Sequence, residues 1–293
     1  MADRTQIIFQ PDGSVFHIGR KPGEISRIVL LVGDPGRVDQ IKKFMDSVDI
    51  ERKNREFHSF TGTYRQLKIT TLSTGIGTDN IDIVLNELDL LANYDQKNRS
   101  FYEEPQQLIL IRIGTSGSIQ EDLPPGTFVV SSHAIGTDGL LYYYKGGKKI
   151  MRKDFPGPFI SHVGWPPELA KPYLVPADEE LFSMLKGSNS AAGITISANG
   201  FYGPQGRSVR IPVAREHILE SLAAYRYRKQ RIVNFEMETS AIFGLSLLMD
   251  HRAASICAII ANRMTGEFLN DYKPVVDRMI EHTLNQLNNH FTP

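Results

Sequence analysis

Seven short apolar segments, separated by stretches with helical periodicity, constrain the fold of this 293-residue chain most strongly. The apolar segments are Arg27–Val32, Leu67–Leu72, Leu108–Ile113, Thr127–Ser131, Gly193–Ser197, Ile232–Phe235 and Ala254–Ala261. Several are apolar at nearly every position, as expected of strands that are covered on both faces. The alternation of strands with helices predicts an α/β fold with a largely parallel or mixed sheet.

Four stretches between and after these segments have the pattern of amphipathic or buried helices. Two of them each present one apolar face, formed by Ile81, Val84, Leu85, Leu88 and Leu91 in the first and by Val276, Met279, Ile280, Thr283, Leu284 and Leu287 in the second. The other two are the segments Arg215–Gln230 and Thr239–Asp250. The lysine-rich stretch Tyr142–Phe155 is predicted to be a loop or hairpin with solvated lysines. Because there is no internal repeat or long linker, we predict that residues 1–293 form a single domain.

The charge balance and the cysteine content argue against several functions. Lys plus Arg and Asp plus Glu both number 33, so no overall field attracts nucleic acid or a membrane, and neither is expected as a partner. No apolar run is long enough to span a bilayer, and Met1–Gly19 has no charged-then-apolar pattern, so a secretory leader is not expected. The only cysteine, Cys257, lies in an apolar run and is predicted to be a buried small side chain rather than a catalytic thiol. We therefore expect a cytosolic protein without disulfides or a metal site.

Two of the predicted strand ends carry features of an anion site, and ligands collect at such ends in α/β sheets. Gly33–Arg37 (GDPGR) combines flexible backbone with an arginine, which suits phosphate, although a plain strand-to-helix turn would use the same glycines. Arg112 lies within an apolar strand, where a guanidinium requires an anion or a carboxylate. The glycines and hydroxyls of Gly114–Ser118 would extend an anion cradle. A buried structural ion pair is the alternative for Arg112.

Two further strand ends suggest a bound sugar. Ser73–Gly77 permits close backbone approach to a ligand, but it lacks the third glycine and the downstream acid of a dinucleotide site. In Glu236-Met237-Glu238, a carboxylate could accept hydrogen bonds from the vicinal hydroxyls of a ribose. The alternative is that both acids cap the following helix. The chain shows no Ser-His-Asp order, metal-spaced ligands or Walker lysine, so transfer of a ribose-like group to or from phosphate is favoured.

Five motifs together resemble those of the nucleoside phosphorylase family, which includes uridine and purine nucleoside phosphorylases. They are GDPGR at 33–37, REF at 55–57, STGIG at 73–77, RIGTSGSI at 112–119 and FEMET at 235–239. The matches run in family order over nearly the whole chain, from about Phe16 to Gly266. The resemblance implies an α/β single domain with a central mixed, partly barrel-like sheet flanked by helices.

The resemblance also implies a role for each matching residue. Phosphate would be bound by Gly33, Arg37, Arg112 and Thr115, with Arg55 supplied by a neighbouring subunit. The ribose would be held by Met237 and Glu238, with Glu236 on the same wall and with His17 reaching the 5′-hydroxyl across the subunit interface. The base would be bound by Phe201, Gln205, Arg207 and Arg263, of which Arg263 supports Arg207. Catalysis would depend on Arg112, Glu238, Arg207 and Gln205.

The implied activity is phosphorolysis of uridine, with deoxyuridine as a further substrate, to uracil and the sugar 1-phosphate. Inorganic phosphate is the co-substrate and no cofactor is implied. The implied assembly is a homodimer unit, with a hexamer as the larger possibility. The same fold also includes purine phosphorylases and nucleosidases, and an idle ligand-binding or storage protein is the alternative outside enzymes. Asn262-Arg263 stands where purine-specific relatives carry an aspartate that protonates the purine.

Two departures from the family pattern bear on these expectations. The family usually has glycine directly before the glutamine, whereas this chain has Gly203-Pro204-Gln205, and proline restricts how the glutamine is presented. After STGIG the family commonly has a small residue and Pro-Ser, where this chain has Thr78-Asp79-Asn80. Some bacterial relatives place a monovalent-cation site there, so a cation requirement is left open.

Overall fold

The computed structural model describes residues 5–187 and 190–292, which contain thirteen strands and eight α-helices. The strands are β1 (Ile28–Val32), β2 (Ser47–Asn54), β3 (Phe57–Tyr64), β4 (Leu67–Ser73), β5 (Tyr94–Asp95), β6 (Ser100–Phe101), β7 (Ile109–Ser118), β8 (Phe128–Gly136), β9 (Tyr173–Pro176), β10 (Ser190–Ser197), β11 (Arg226–Tyr227), β12 (Gln230–Glu236) and β13 (Arg252–Asn262). The helices are α1 (Pro35–Lys42), α2 (Thr78–Asn93), α3 (Gly147–Ile150), α4 (Pro156–Val163), α5 (Glu179–Leu185), α6 (Ile218–Ala224), α7 (Thr239–Leu248) and α8 (Lys273–Phe291).

Five strands close into a barrel. β7 pairs with β13, β13 with β8, β8 with β10 and β10 with β12, and β12 returns to β7 where Asn234 lies opposite Ser118. Parallel and antiparallel pairs are mixed around this circuit. Beyond β7 the sheet continues as an open arm through β1, β4, β3 and β2. This arrangement confirms the predicted mixed, partly barrel-like sheet.

Helices cover both faces of the sheet. The predicted apolar face of α8 packs with α5 and with β1 on one side, whereas α2 and α7 pack on the other. The first eight residues of α7 are all buried, as expected of a helix enclosed in the core. Within the described residues, no helix is both long enough and apolar enough to cross a membrane.

All seven predicted strands are present, and α2, α7 and α8 confirm three of the predicted helices. The prediction of one helix over Arg215–Gln230 is wrong after Ala224. There the chain forms β11 and turns back onto β12 through Arg228 and Lys229, which adopt the left-handed φ values of 46° and 71°. Tyr142–Phe155 forms α3 and turns instead of a hairpin, and its lysines are exposed as predicted.

Candidate active site

A cavity of about 770 Å³ opens beside the carboxyl ends of β1 and β12 and the second half of β7. The convergence of distant motifs on it follows from the sheet order, in which β1 and β12 both pair with β7. Of the residues predicted to form the site, the cavity is lined by Gly33, Arg37, Arg112, Thr115, Phe201, Gln205, Arg207, Glu236, Met237, Glu238 and Arg263. His17 and Arg55 lie outside it.

Arg112 is buried and bonded to two carboxylates. Its Nε donates to Oε2 of Glu236 at 2.9 Å, and its Nη2 donates to Oε2 of Glu238. Burial acts to lower the pKa of Arg112, but attraction to Glu238 and Glu236 outweighs burial and raises it. Arg112 therefore belongs to a buried ion pair and also faces the cavity, so the two alternatives for it coexist.

The two acids of the FEMET motif have different environments. Glu236 accepts hydrogen bonds from Ser197 Oγ at 2.5 Å and from the backbone N–H groups of Glu238 and Thr239, so it caps the start of α7. Glu238 makes no cap bond; its Oε1 accepts from the N–H of Gly77 at 2.7 Å. Burial raises the pKa of Glu238. The positive charge of Arg112 acts to lower this pKa, and the negative charge of the nearby Glu236 raises it further. The capping alternative thus holds for Glu236 and not for Glu238.

The glycines of two motifs permit close approach to this charged group. Gly77 has a φ of 100°, and its N–H donates to Glu238. The close backbone approach that was expected toward a ligand is therefore made toward a carboxylate of the protein. The predicted strand end at Ile113 is wrong, because β7 continues through Gly114–Ser118 and pairs there with β13. A Cβ at Gly114 would lie 2.9 Å from Cys257 Sγ and 3.0 Å from Arg112 Cζ, so only glycine leaves room for the guanidinium.

Arg37 supplies a second buried cation to the cavity. Its side chain extends from α1, where Asp34 caps the helix by accepting from the N–H of Gly36 at 2.8 Å. Nη1 of Arg37 donates to the carbonyl of Ile113 at 3.2 Å, but its Nε is buried without a hydrogen-bond partner. Burial and the repulsion of Arg112 lower the pKa of Arg37. An anion between these cations would relieve both the repulsion and the missing hydrogen bond.

A second set of polar side chains, Gln205 and Arg207, lines the cavity at the short 3₁₀ turn Gly203–Gln205. The guanidinium of Arg207 lies over the ring of Phe201, with Cζ 3.9 Å from the ring centroid. Nη1 of Arg207 donates to the carbonyl of Phe201 and to Oε1 of Gln205, both at 2.6 Å. Gln205 is buried, and Pro204 begins the turn that carries it. Burial and repulsion from Arg263 lower the pKa of Arg207 to about 10, so it stays charged at neutral pH.

Arg263 supports this turn, whereas its neighbour Asn262 bonds other backbone segments. Nη1 of Arg263 donates to the backbone carbonyl of Gln205 at 3.0 Å, so its bonded partner is the Gln205 turn and not the guanidinium of Arg207. The Asn262 amide donates to the carbonyls of Gln120 and Leu123, and its Oδ1 accepts from two N–H groups of the next turn. Both polar atoms of the Asn262 side chain are thus hydrogen-bonded to backbone groups.

His17 and Arg55 lie together on a different surface. The ring of Phe16 connects them: it stands edge-on to the His17 ring at 4.9 Å, and Arg55 Cζ lies 5.1 Å from its centroid. Nδ2 of Asn54 donates to the carbonyls of Phe16 and His17. The structure therefore groups the two residues expected to serve a neighbouring subunit and keeps them apart from their own subunit's cavity.

Several lining residues were not predicted from the sequence. Ile76 and Phe268 stand at the cavity with 67% and 60% of their surface exposed, and Tyr272 lies at the start of α8. Ile76 is the side chain between the two glycines of STGIG, a position that could have identified it. Phe268 and Tyr272 follow the turn after Arg263 in a segment without a motif, so only the fold brings them to the site.

In the described part of the chain, one group of side chains has metal-like spacing. Ligand atoms of Asp39, Glu51 and His58 lie within 4.8 Å of one another, and none of the three lines the cavity. Glu51 already bonds Lys42 and His58, each at 2.7 Å.

Comparison with known proteins places the chain in a family. A profile of the phosphorylase superfamily matches residues 27–285. The chain is 31% identical over 260 residues to a uridine phosphorylase of Thermococcus kodakarensis, covering 88% of this chain and 80% of that protein. It is also 31% identical over 252 residues to a DeoD-type purine nucleoside phosphorylase of Listeria welshimeri, covering 86% and 88% of the two chains.

Comparison with solved structures leads to the same family. The crystal structure of a Trypanosoma brucei nucleoside phosphorylase, which shows uridine phosphorylase activity, superposes with a TM-score of 0.87 at 30% identity. The match covers 97% of this chain and 99% of that one. These findings confirm the resemblance drawn from the five motifs. The chain therefore belongs to the phosphorylase superfamily, as a member of its nucleoside phosphorylases.

Proposed function

We propose that this protein cleaves uridine with inorganic phosphate and releases uracil and ribose 1-phosphate, with deoxyuridine as a further substrate. One observation carries the proposal: a single cavity is lined by two buried arginines, one acid left for a ligand and the Gln205–Arg207 pair. These are the donors and acceptors that a phosphate, a ribose diol and a uracil edge require.

Phosphate would bind between Arg37 and Arg112, with the backbone of Gly33 and the hydroxyl of Thr115 completing its shell. The buried, unpartnered Nε of Arg37 supports this assignment, because such a donor is costly without an acceptor. Guanidinium groups suit phosphate better than ammonium groups do, since each can meet two oxygens at once.

The ribose would bind against Glu238 and Met237. Breaking the glycosidic bond develops positive charge on the sugar, which a phosphate below the ring and the Glu238 carboxylate stabilise before phosphate captures C1′. Arg112 holds the Glu238 carboxylate in place and so links the phosphate and sugar subsites. No nucleophilic side chain and no cofactor take part in this reaction. Preorganised charges of this kind are each worth roughly 10²–10³ in rate.

The leaving uracil would be bound by Gln205 and Arg207, with Phe201 against the sugar and base. The amide of Gln205 matches N3–H and O2, and Arg207 donates to O4, which disperses the charge on the departing base. Arg263 fixes the backbone of this turn. Asn262 stands where purine-specific relatives carry an aspartate, and its amide is bonded to backbone carbonyls.

The second candidate is a purine nucleoside phosphorylase. The Listeria welshimeri relative favours it, because its identity of 31% equals that of the uridine phosphorylase. The position of Pro204 in the base-binding turn points the same way. A nucleosidase would use water in place of phosphate, and the pair of buried arginines argues against it. The presence of Glu238 together with the cavity arginines argues against a binding protein without catalytic activity.

The proposed active unit is a homodimer, with a hexamer as a larger assembly of the same unit. The common surface of His17 and Arg55, outside their own cavity, supports a pocket completed by a neighbour. The proposed location is the cytosol, for which the single buried, free cysteine is the support.

The experiment that tests the function is release of free base from uridine, deoxyuridine, cytidine and inosine, with and without phosphate. The proposal requires release from uridine that depends on phosphate. Faster release from inosine would favour the purine phosphorylase, and release without phosphate would favour a nucleosidase.

A further inference from the structure

We propose that Glu87 is a positioning residue that sets the tautomer and the ring orientation of His17. This inference rests on the proposed function, because it takes His17 to contact the 5′-hydroxyl of a ribose in the neighbouring subunit. Glu87 lies on α2, outside the cavity, and no motif of the sequence includes it.

The Glu87 carboxylate is directed at one short segment. Its Oε1 lies 2.7 Å from Nδ1 of His17 and 2.8 Å from the backbone nitrogen of the same residue. Its Oε2 accepts from the backbone N–H of His17 at 3.0 Å and from that of Ile18 at 2.8 Å. Only 8% of the Glu87 side chain is exposed, so these bonds replace the water that the carboxylate loses.

These bonds determine which histidine nitrogen can accept. An ionised carboxylate only accepts hydrogen bonds, so Nδ1 of His17 must carry the hydrogen. In the neutral ring, Nε2 is then the acceptor, and it has no hydrogen-bond partner among the described residues. The His17 side chain is 31% exposed, which leaves this edge available to a partner. A ribose 5′-hydroxyl is a donor of the kind that this nitrogen requires.

Helix α2 makes Glu87 a firm anchor. Val84, Leu85 and Leu88 beside it are buried in the core, and Gly77 at the start of the helix donates to Glu238. The same helix therefore bonds both Glu238, at the cavity of its own subunit, and His17, which we place at the ribose of the neighbouring subunit.

The test compares kcat/KM for uridine and for 5′-deoxyuridine, which lacks the hydroxyl, in the full-length Glu87→Gln protein. Glutamine keeps the size of the side chain but turns one acceptor into a donor, so the ring loses its enforced tautomer. We expect uridine cleavage to fall by about tenfold, equivalent to one lost hydrogen bond, with 5′-deoxyuridine cleavage changed by less than about twofold. Equal losses on both substrates would show that Glu87 only stabilises the chain, and would overturn the proposal.

Three further variants separate the possible failures. His17→Ala should reproduce the selective loss, and the double variant should lose no more selectivity than His17→Ala alone. If His17→Ala leaves the preference for the 5′-hydroxyl intact, the placement of His17 at the ribose is wrong and the inference fails with it. If His17→Ala removes the preference and Glu87→Gln does not, only the inference about Glu87 fails. Glu87→Asp keeps the charge with a shorter reach and should retain more of the preference; should Glu87→Gln not fold, the same comparison of substrates applies to Glu87→Asp.

Discussion

Arg112 and Glu238 are bonded to each other at the cavity, and about 95% of each side chain is buried. Glu236 binds the same guanidinium at 2.9 Å, so two acids share one cation. The group is thus both a structural ion pair and the junction of the proposed phosphate and ribose subsites.

Replacing Arg112 with Ala should therefore affect stability and catalysis separately. Leaving two buried carboxylates without their cation should lower the free energy of unfolding by ~3–5 kcal/mol. Turnover should fall by roughly 10²–10³ and the KM for phosphate should rise. Arg231→Ala is the control, because Arg231 pairs with Asp122 at a more exposed site outside the cavity. Phosphate kinetics that do not change in a folded Arg112→Ala protein would remove Arg112 from the site.

Gly114→Ala should displace the Arg112 guanidinium, because the new methyl group would lie 3.0 Å from its Cζ and 2.9 Å from Cys257 Sγ. Small displacements of a catalytic group can cost on the order of 10² in rate. Gly157→Ala in α4 is the control, since Gly157 lies outside the cavity and its new methyl group would meet no neighbouring heavy atom within 4 Å. We expect kcat/KM to fall much further for Gly114→Ala, and similar values for the two variants would refute this packing argument.

The raised pKa of Glu238 predicts an acid limb in the rate. Burial and the nearby Glu236 raise this pKa, and a proton on Glu238 would remove the acceptor for the ribose. Activity should therefore fall with decreasing pH at values above the usual range of a glutamate. The measurement is kcat/KM for uridine against pH at saturating phosphate. Glu238→Asp should keep an acid limb, whereas the residual activity of Glu238→Gln should lack it; the same limb in both would assign it to another group.

A pocket shared between subunits should permit complementation. The His17→Ala, Arg55→Ala double variant and the Glu238→Ala variant should each have little activity alone. After subunit exchange, a hybrid dimer contains one pocket with all three residues intact, so activity should return. If exchange is verified by mass and no activity appears, His17 and Arg55 do not serve the neighbour's pocket.

The sequence predicted the strands well because those buried on both faces are apolar at nearly every position. It did not reveal β2 and β3, since β2 is largely exposed and β3 buries His58, Ser59 and Thr61 in place of a continuous apolar run. The turn at Arg228 and Lys229 was missed because neither residue type favours a positive φ.

At the site, the motifs identified most of the charged residues that line the cavity but could not distinguish the two acids of FEMET. Glu236 and Glu238 have the same side chain, and only the position of the α7 N-terminus makes Glu236 a cap while Glu238 bonds Gly77 instead. The bond between Glu87 and His17 was equally inaccessible, because it joins residues 70 positions apart without a motif around the acid.

Recognition of uracil by Gln205 and Arg207 can be measured by comparing phosphate-dependent base release from uridine, cytidine and inosine in the wild type and in Arg207→Ala. Cytosine presents an amine where uracil presents O4, so Arg207 would face a donor with a donor, and a mismatch of this kind costs on the order of 10⁴-fold. We predict that uridine is cleaved far faster than the other two, and that Arg207→Ala narrows the gap mainly by slowing uridine. Faster cleavage of inosine than of uridine by the wild type would contradict the assignment of Gln205 and Arg207 to uracil.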